Sequence, residues 1–381
     1  MEKQECELFC KSLRQKYIEI KKSPETIILQ KAKSYEKIKG PFYVSWELTS
    51  ACNFTCKHCR AANNLSRKKV ENLPWDKYKK VIDDLAENQI SLLGITGGEP
   101  TLFPYFQDIV RYAKHQKIVI TIYTNASNIS EEVACNLSKC LTKDDLIHVS
   151  LDGGVEEDND AQRGKGTFKR TIRGLAALAK YSLPIRLTIV PTIYNINNID
   201  KIIDIAMKYN VKEVSAVPLM SAGRANEKLR PDNNLLFKKE IAVLRKLEKC
   251  VNIKYEGGIF GPVCVYSKYP ELLKNVNFPQ AFANDLRVCD AGTKQLFIDA
   301  QGNCFPCNLF ASSEEFMLGN VFDTSISEIW QNKKLSIFKK GIEMEDEKCK
   351  KCKLWSLCNG GCMGLSWLNE KSLSLRDPRC I

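Results

Sequence analysis

The stretch FYVSWELTSACNFTCKHC, residues 42–59, decides how the rest of the chain is read. Its first half, Phe42 to Leu48, is an apolar run of strand length. Its second half sets Cys52, Cys56 and Cys59 in one loop with C-x-x-x-C-x-x-C spacing. Three thiolates this close can hold three irons of a cubane [4Fe–4S] cluster and leave the fourth open to a small molecule. The loop therefore points to chemistry rather than to a sealed electron store.

From Phe42 onward the pattern repeats. Short β-branched runs at 42–48, 90–96, 118–123, 146–151, 185–190 and 213–218 alternate with helix-period segments near 75–88, 104–115, 130–140, 168–181 and 197–209. Strands alternating with helices predict an α/β fold with a parallel sheet, whose functional loops lie at the carboxyl ends of the strands. The three-cysteine loop directly follows the first strand and so belongs to that face.

Residues 1–40 are lysine-rich and predict two helices broken at Ser23-Pro24, with Cys6 and Cys10 as small buried hydrophobes on one face. A helix is expected at about 232–250, and residues 257–288, rich in Gly, Pro and Asn, read as a bridging segment. Beyond Cys289 come a hairpin, one amphipathic helix at about 325–339 and many cysteines with little other core material, the mark of a metal-held segment. The expected divisions are 1–40, 41–225, 226–288 and 289–381.

The chain has 381 residues, neither a secretory signal nor an apolar run of membrane-spanning length, and is expected in the cytoplasm. In a reducing compartment its 17 cysteines favour metal or catalytic use over disulfides. The net charge of +12 is scattered over short Lys/Arg runs. That suits a solvated surface better than a nucleic-acid patch, and an acidic peptide partner is a third reading that the charge leaves open.

Gly97-Gly98-Glu99-Pro100 ends the second strand, where two glycines admit a ligand close to the backbone. C-x-x-x-C-x-x-C after strand one with G-G-E-P after strand two resembles the radical S-adenosylmethionine (SAM) superfamily. The resemblance implies a partial (β/α)6 TIM-like barrel. It also implies SAM held through its amino and carboxylate groups on the open iron, and reductive cleavage to a 5′-deoxyadenosyl radical that abstracts a substrate hydrogen. By the same resemblance Gly98 and Glu99 meet the amino end of SAM, Asn125, Ser150 and Asp152 at the ends of strands three and four meet its methionyl or ribose part, and Arg163 meets its carboxylate. Val190 and His58 pack near the adenine.

The tail adds Cys289, Cys307, Cys349, Cys352, Cys358, Cys362 and Cys380. This set resembles the SPASM extension of radical SAM enzymes, a small C-terminal iron–sulfur domain that commonly holds two auxiliary [4Fe–4S] clusters. The resemblance puts Cys349, Cys352, Cys358 and Cys380 on the outer cluster, and Cys289, Cys307 and Cys362 on the inner one. The fourth inner ligand is Cys264, Cys304 or none. Taken alone, the tail also suits two structural zinc sites. Cys135, Cys140 and Cys250 sit in helix patterns as core or surface thiols.

SPASM enzymes mature peptides, oxidise sulfatases or modify tetrapyrroles. Sulfatase maturases carry an aspartate base directly after the second cysteine of the extension; here Asn308 stands there, and an amide takes no proton at neutral pH. A leader-binding domain of about eighty residues does not fit in the forty residues before the barrel, which implies a separate presenting protein or none. Trp46-Glu47-Leu48-Thr49 with Cys59-Arg60-Ala61 is reminiscent of the haem-pathway branch. The resemblance favours a peptide or protein substrate and a flavodoxin- or ferredoxin-type reductant. Tetrapyrrole modification is the alternative, and an electron-transfer protein with a degenerate SAM site a third.

Overall fold

The computed structural model describes residues 40–63, 72–250, 253–256, 286–287, 289–352 and 355–380. The two expected N-terminal helices, most of the bridging segment and Cys264 lie outside them. Among the described residues no helix is long and apolar enough to cross a membrane.

Seven strands run parallel in one open sheet: β1 (Tyr43–Glu47), β2 (Leu92–Thr96), β3 (Val119–Thr124), β4 (Leu146–Ser150), β5 (Ile185–Ile189), β6 (Glu213–Ala216) and β7 (Lys254–Glu256). Alternation within each strand sorts the side chains. Val44, Trp46, Leu93, Ile95, Ile120, Ile122, Ile147, Val149, Leu187 and Ile189 form one face and are buried. They share a core with Tyr78, Val81, Ile82 and Leu85 of the helix Trp75–Glu87 and with Ile109, Val110 and Ala113 of the helix Phe106–His115. Tyr43, Ser45, Thr121, Tyr123, His148, Ser150, Arg186, Thr188 and Ser215 occupy the opposite face, which is the concave lumen of a partial barrel. Gly94 is there because Tyr43 crosses it: a Cβ at Gly94 would stand 2.3 Å from the Tyr43 hydroxyl oxygen.

The six expected strands are present, and β7, only three residues long, carries too little pattern to be read from sequence. A helix also goes unread, Glu156–Arg163, because its sequence EEDNDAQR has almost no apolar positions.

The tail departs most from expectation. Beyond β8 (Leu286–Arg287), β9 (Gln295–Ile298) pairs in parallel with β1, Tyr43 opposite Gln295 and Trp46 opposite Ile298. Then β10 (Asn303–Phe305) returns antiparallel to β9, β11 (Gly319–Asn320) follows it, and β12 (Ile342–Glu343) pairs with β8 in a separate ribbon. The expected hairpin exists, but it extends the barrel sheet to ten strands rather than standing apart. The helix expected at 325–339 is broken into Ile326–Trp330, Lys333–Leu335 and Ser336–Lys340. Asn332 makes the break, its amide donating to the Leu318 carbonyl and accepting from the Lys334 N–H.

At the amino end of the strands Asp145 is a structural brace. Its fully buried carboxylate accepts from the Ile120 N–H (2.7 Å), the Thr142 N–H and hydroxyl, and Lys114 Nζ (2.7 Å). Removing it strands the Lys114 ammonium and two backbone donors, so Asp145→Ala should cost about 3–5 kcal/mol. Thermal unfolding should show a clearly lowered Tm, and an unchanged Tm would contradict this role.

Candidate iron–sulfur and cofactor site

The cysteine loop and the G-G-E-P turn are laced together by backbone. The Leu48 N–H donates to the Thr96 carbonyl (2.9 Å), Gly98 N–H to Thr49 (2.7 Å) and Glu99 N–H to Ala51 (2.8 Å). Gly98 is required by this approach, since a Cβ there would stand 2.1 Å from the Ala51 oxygen. Glu99 is fully buried, and its two oxygens accept from Thr101, Thr124 and the Asn125 N–H. Burial pushes its carboxyl pKa up, and those hydrogen bonds pull against the rise. Its carboxylate ties the ends of β2 and β3 together. Asn125 is similarly engaged, donating to Asn53 Oδ1 (3.0 Å) and accepting from the Ser127 N–H. Pro100 is buried and opens the short helix Pro100–Leu102.

Asp152 is also wholly internal. Its carboxylate faces Arg163 Nε (2.5 Å) and His58 Nε2 (3.1 Å) and accepts from the Val190 N–H (2.7 Å). Burial acts to raise the Asp152 carboxyl, but Arg163 and His58 outweigh it and hold it below the usual range. Burial lowers His58 to about 4 against the opposing pull of Asp152, so the imidazole is neutral at pH 7. Its Nε2 stays 3.1 Å from the Asp152 carboxylate, and its buried Nδ1 has no hydrogen-bond partner among the described residues. Asp152 thus holds Arg163 and His58 beside the cysteine loop.

Arg163 Nη1 reaches to 4.0 Å from Cys56 Sγ. A second arginine, Arg224, escaped the sequence reading. Its Nε donates to the Cys56 carbonyl and its N–H to the Cys59 carbonyl, both at 2.9 Å. Only the chain reversal after β6 brings it there. Burial raises the Cys56 thiol to about 11, Arg163 opposes the rise, and Cys59 and Cys52 are near enough to add to it. The Ser150 hydroxyl makes no hydrogen bond among the described residues and stands half-buried at the end of β4. Val190 packs against Leu219, Ala225 and Leu229 as an apolar ledge. The three loop thiols, the adjacent guanidiniums, the orphaned His58 Nδ1 and the open Ser150 hydroxyl fit an iron–sulfur cluster with a polar, partly apolar small molecule beside it.

The tail thiols fall into two groups. Burial raises Cys358 to about 12, and Cys380, Cys349 and Cys352 lie close enough to add to the shift. Burial raises Cys307 as well, with Cys289 and Cys362 adding to it. Asp377 braces both groups, accepting from the Cys362 N–H (2.8 Å) and from Arg379 (2.7 Å), while the Cys380 N–H donates to its carbonyl (2.9 Å). Cys304 belongs to neither group. Buried on β10, it lies within charge range of Asp299 and Asp84, and its thiol donates to Gly302 O at 3.8 Å. Because β10 reverses direction, Cys289 and Cys307 lie toward the amino end of β1, opposite the end from which Cys52 to Cys59 emerge. The lumen lies between the two.

Family models match at both places. Residues 46–208 match the radical SAM superfamily, and residues 289–353 match the SPASM iron–sulfur cluster-binding domain. The chain is a radical SAM enzyme with a SPASM domain. Its cofactors are SAM, a [4Fe–4S] cluster and further iron–sulfur clusters in the SPASM domain. It is 28% identical over 347 residues to mycofactocin maturase MftC of Mycolicibacterium smegmatis, covering 90% of this chain and 83% of that one. It is 25% identical over 350 residues to an AdoMet-dependent heme synthase of Methanosarcina barkeri, covering 90% of this chain and 97% of the other. Among solved structures, Streptococcus suis SuiB bound to its precursor peptide SuiA shares the fold of this radical SAM enzyme. Their TM-score is 0.74 at 22% identity, over 92% of this chain and 78% of that one.

Two outcomes follow from the geometry. Gly98→Ala drives a methyl group into the Ala51 carbonyl and should release the cysteine loop, lowering iron and sulfide content measured after anaerobic reconstitution. His148 is a separate case, buried in the lumen with Nδ1 3.0 Å from Thr188 Oγ1 and lowered by burial to about 3. Below pH 6.5 the unfolded chain takes up a proton that the folded one refuses, so stability falls from pH 6.5 toward about 3, by up to about 1.4 kcal/mol per pH unit. The Tm of His148→Gln should decline less steeply than the parent's between pH 7 and 5, and parallel curves would exclude this origin.

Proposed function

We propose that the enzyme is a maturase that abstracts hydrogen from a peptide or protein substrate lying in the barrel lumen. The observation that carries this reading is the similarity to mycofactocin maturase over 90% of the chain. The placement of the two thiol regions at opposite ends of β1 supports it, since a substrate between them is within reach of both.

In this reading Cys52, Cys56 and Cys59 hold the radical SAM cluster. When bound, SAM and the reduced cluster supply a 5′-deoxyadenosyl radical. The protein's part is placement. The backbone of Gly97 to Pro100 lines the methionyl end, held rigid from behind by Glu99 and Asn125. Arg163, fixed by Asp152, offers its guanidinium to the carboxylate. His58 Nδ1 and the Ser150 hydroxyl are the open polar atoms for the adenosyl part, and Val190 its apolar ledge. Arg224 clamps the loop through two carbonyls. Cys349, Cys352, Cys358 and Cys380 hold the outer auxiliary cluster, and Cys289, Cys307 and Cys362 the inner one, with Cys264 as the candidate fourth ligand. Cys304, turned elsewhere, is not used. The enzyme works in the cytoplasm with a flavodoxin- or ferredoxin-type reductant and takes its peptide alone or from a leader-binding protein.

A tetrapyrrole substrate is the second reading, favoured by the heme-synthase similarity over 90% of the chain and by the Trp46-to-Ala61 phrase. The reconstituted, dithionite-reduced enzyme should form 5′-deoxyadenosine from SAM, and Cys56→Ala should form none. Uniformly deuterated peptides from short reading frames beside the gene should pass deuterium into 5′-deoxyadenosine. Transfer from deuterated coproporphyrin instead, with none from peptide, would replace the first reading with the second.

A further inference from the structure

A polar cavity of about 280 Å³ opens beside the cysteine loop. One wall is Arg60 and Asn63, in the turn that follows Cys59, together with Gly223; the facing wall is Asn308 and Ser312, which follow Cys307. The cavity is thus flanked by residues adjoining both thiol regions. Arg60 carries the only charge among its lining residues.

Among the described residues that charge has no carboxylate partner. Arg163, Arg186 and Arg379 each face a carboxylate, those of Asp152, Glu213 and Asp377. Arg60 Nη1 instead reaches Met220 Sδ at 3.8 Å and meets no carboxylate among the described residues. Its guanidinium is planar, permanently charged and suited to a two-pronged bond with a carboxylate. Asn63, Asn308 and Ser312 add neutral donors and acceptors around it.

We propose that this cavity is a carboxylate-binding subsite for the substrate, in which Arg60 pairs with one carboxylate and so sets the register of the substrate in the lumen. The inference rests on the peptide reading above and narrows it to peptides that present an acidic side chain or a free C-terminus there. Ligand pockets usually measure about 300–1,000 Å³, so this one seats a residue or two rather than a whole macrocycle. A tetrapyrrole would reach it only through a propionate.

Equilibrium dialysis of the reconstituted full-length enzyme tests this with four probes. They are a blocked pentapeptide with a central glutamate, its glutamine counterpart as an amide, the same counterpart as a free C-terminal acid, and coproporphyrin III. At least one carboxylate probe should bind about fivefold more tightly than the neutral amide, the ratio of about 1 kcal/mol expected of a half-open ion pair. Arg60→Gln should erase that preference and Arg60→Lys keep part of it. Should Arg60→Gln fail to load its clusters, Ser312→Asp puts the same question from the facing wall, by supplying an internal anion that competes for Arg60. An Arg60-dependent preference for coproporphyrin alone would keep the subsite and remove the peptide reading. Equal binding of the charged and neutral probes, or a preference that survives both Arg60→Gln and Ser312→Asp, would overturn the subsite.

Discussion

The parallel pairing of β1 on both of its edges is the constraint on which the rest depends. On one side β2 brings the G-G-E-P turn against the cysteine loop, and on the other β9 binds the tail to the barrel. A strand hydrogen-bonded on both edges has no freedom to slip, because a shift of one residue would turn Val44 and Trp46 from the core into the lumen. The loop that leaves β1 therefore starts from a fixed point. The hairpin β9–β10 then carries Cys307 back toward the start of the same strand. Five residues of strand thus hold both thiol regions in one frame with the lumen between them.

Around that frame a single device recurs, a buried carboxylate that gathers donors from separate segments. Glu99 joins the ends of β2 and β3, Asp152 joins β4 and β5 to the helix end at Arg163 and to His58, and Asp377 joins the tail thiols. A carboxylate has several lone pairs, so one side chain can satisfy many orphaned donors, and in a low-dielectric interior each such bond is strong. The residues that position the site are charged for this reason, although none of the three faces solvent.

Much of the barrel could be read from sequence because its strands are β-branched runs and its helices have a clear apolar stripe. What could not be read lacked such a pattern. The helix Glu156–Arg163 is nearly all polar, β7 is three residues long, and Asn332 divides a segment whose apolar spacing looks continuous. At the site the motif residues were legible, but the protein contacts of Glu99 and Asp152 were not: each joins segments that only the fold brings together. Arg224 and Asp377 carry no motif at all; the Arg224 contact to the cysteine loop spans 168 residues of chain, and that of Asp377 to Cys362 spans 15.

The sequence by itself determined the chemistry: the thiol spacing, the glycine pair that follows the second strand, and the alternation that places both on one face. These are local properties, set by a few neighbouring residues and by backbone sterics. Only the tertiary structure decided which thiols gather together, that Cys304 stands apart from them, that the tail joins the barrel sheet at β1, and that Arg60 faces Asn308 across an open cavity. Each of these depends on segments far apart in the chain meeting through strand pairing and buried charge, and no local pattern records such meetings.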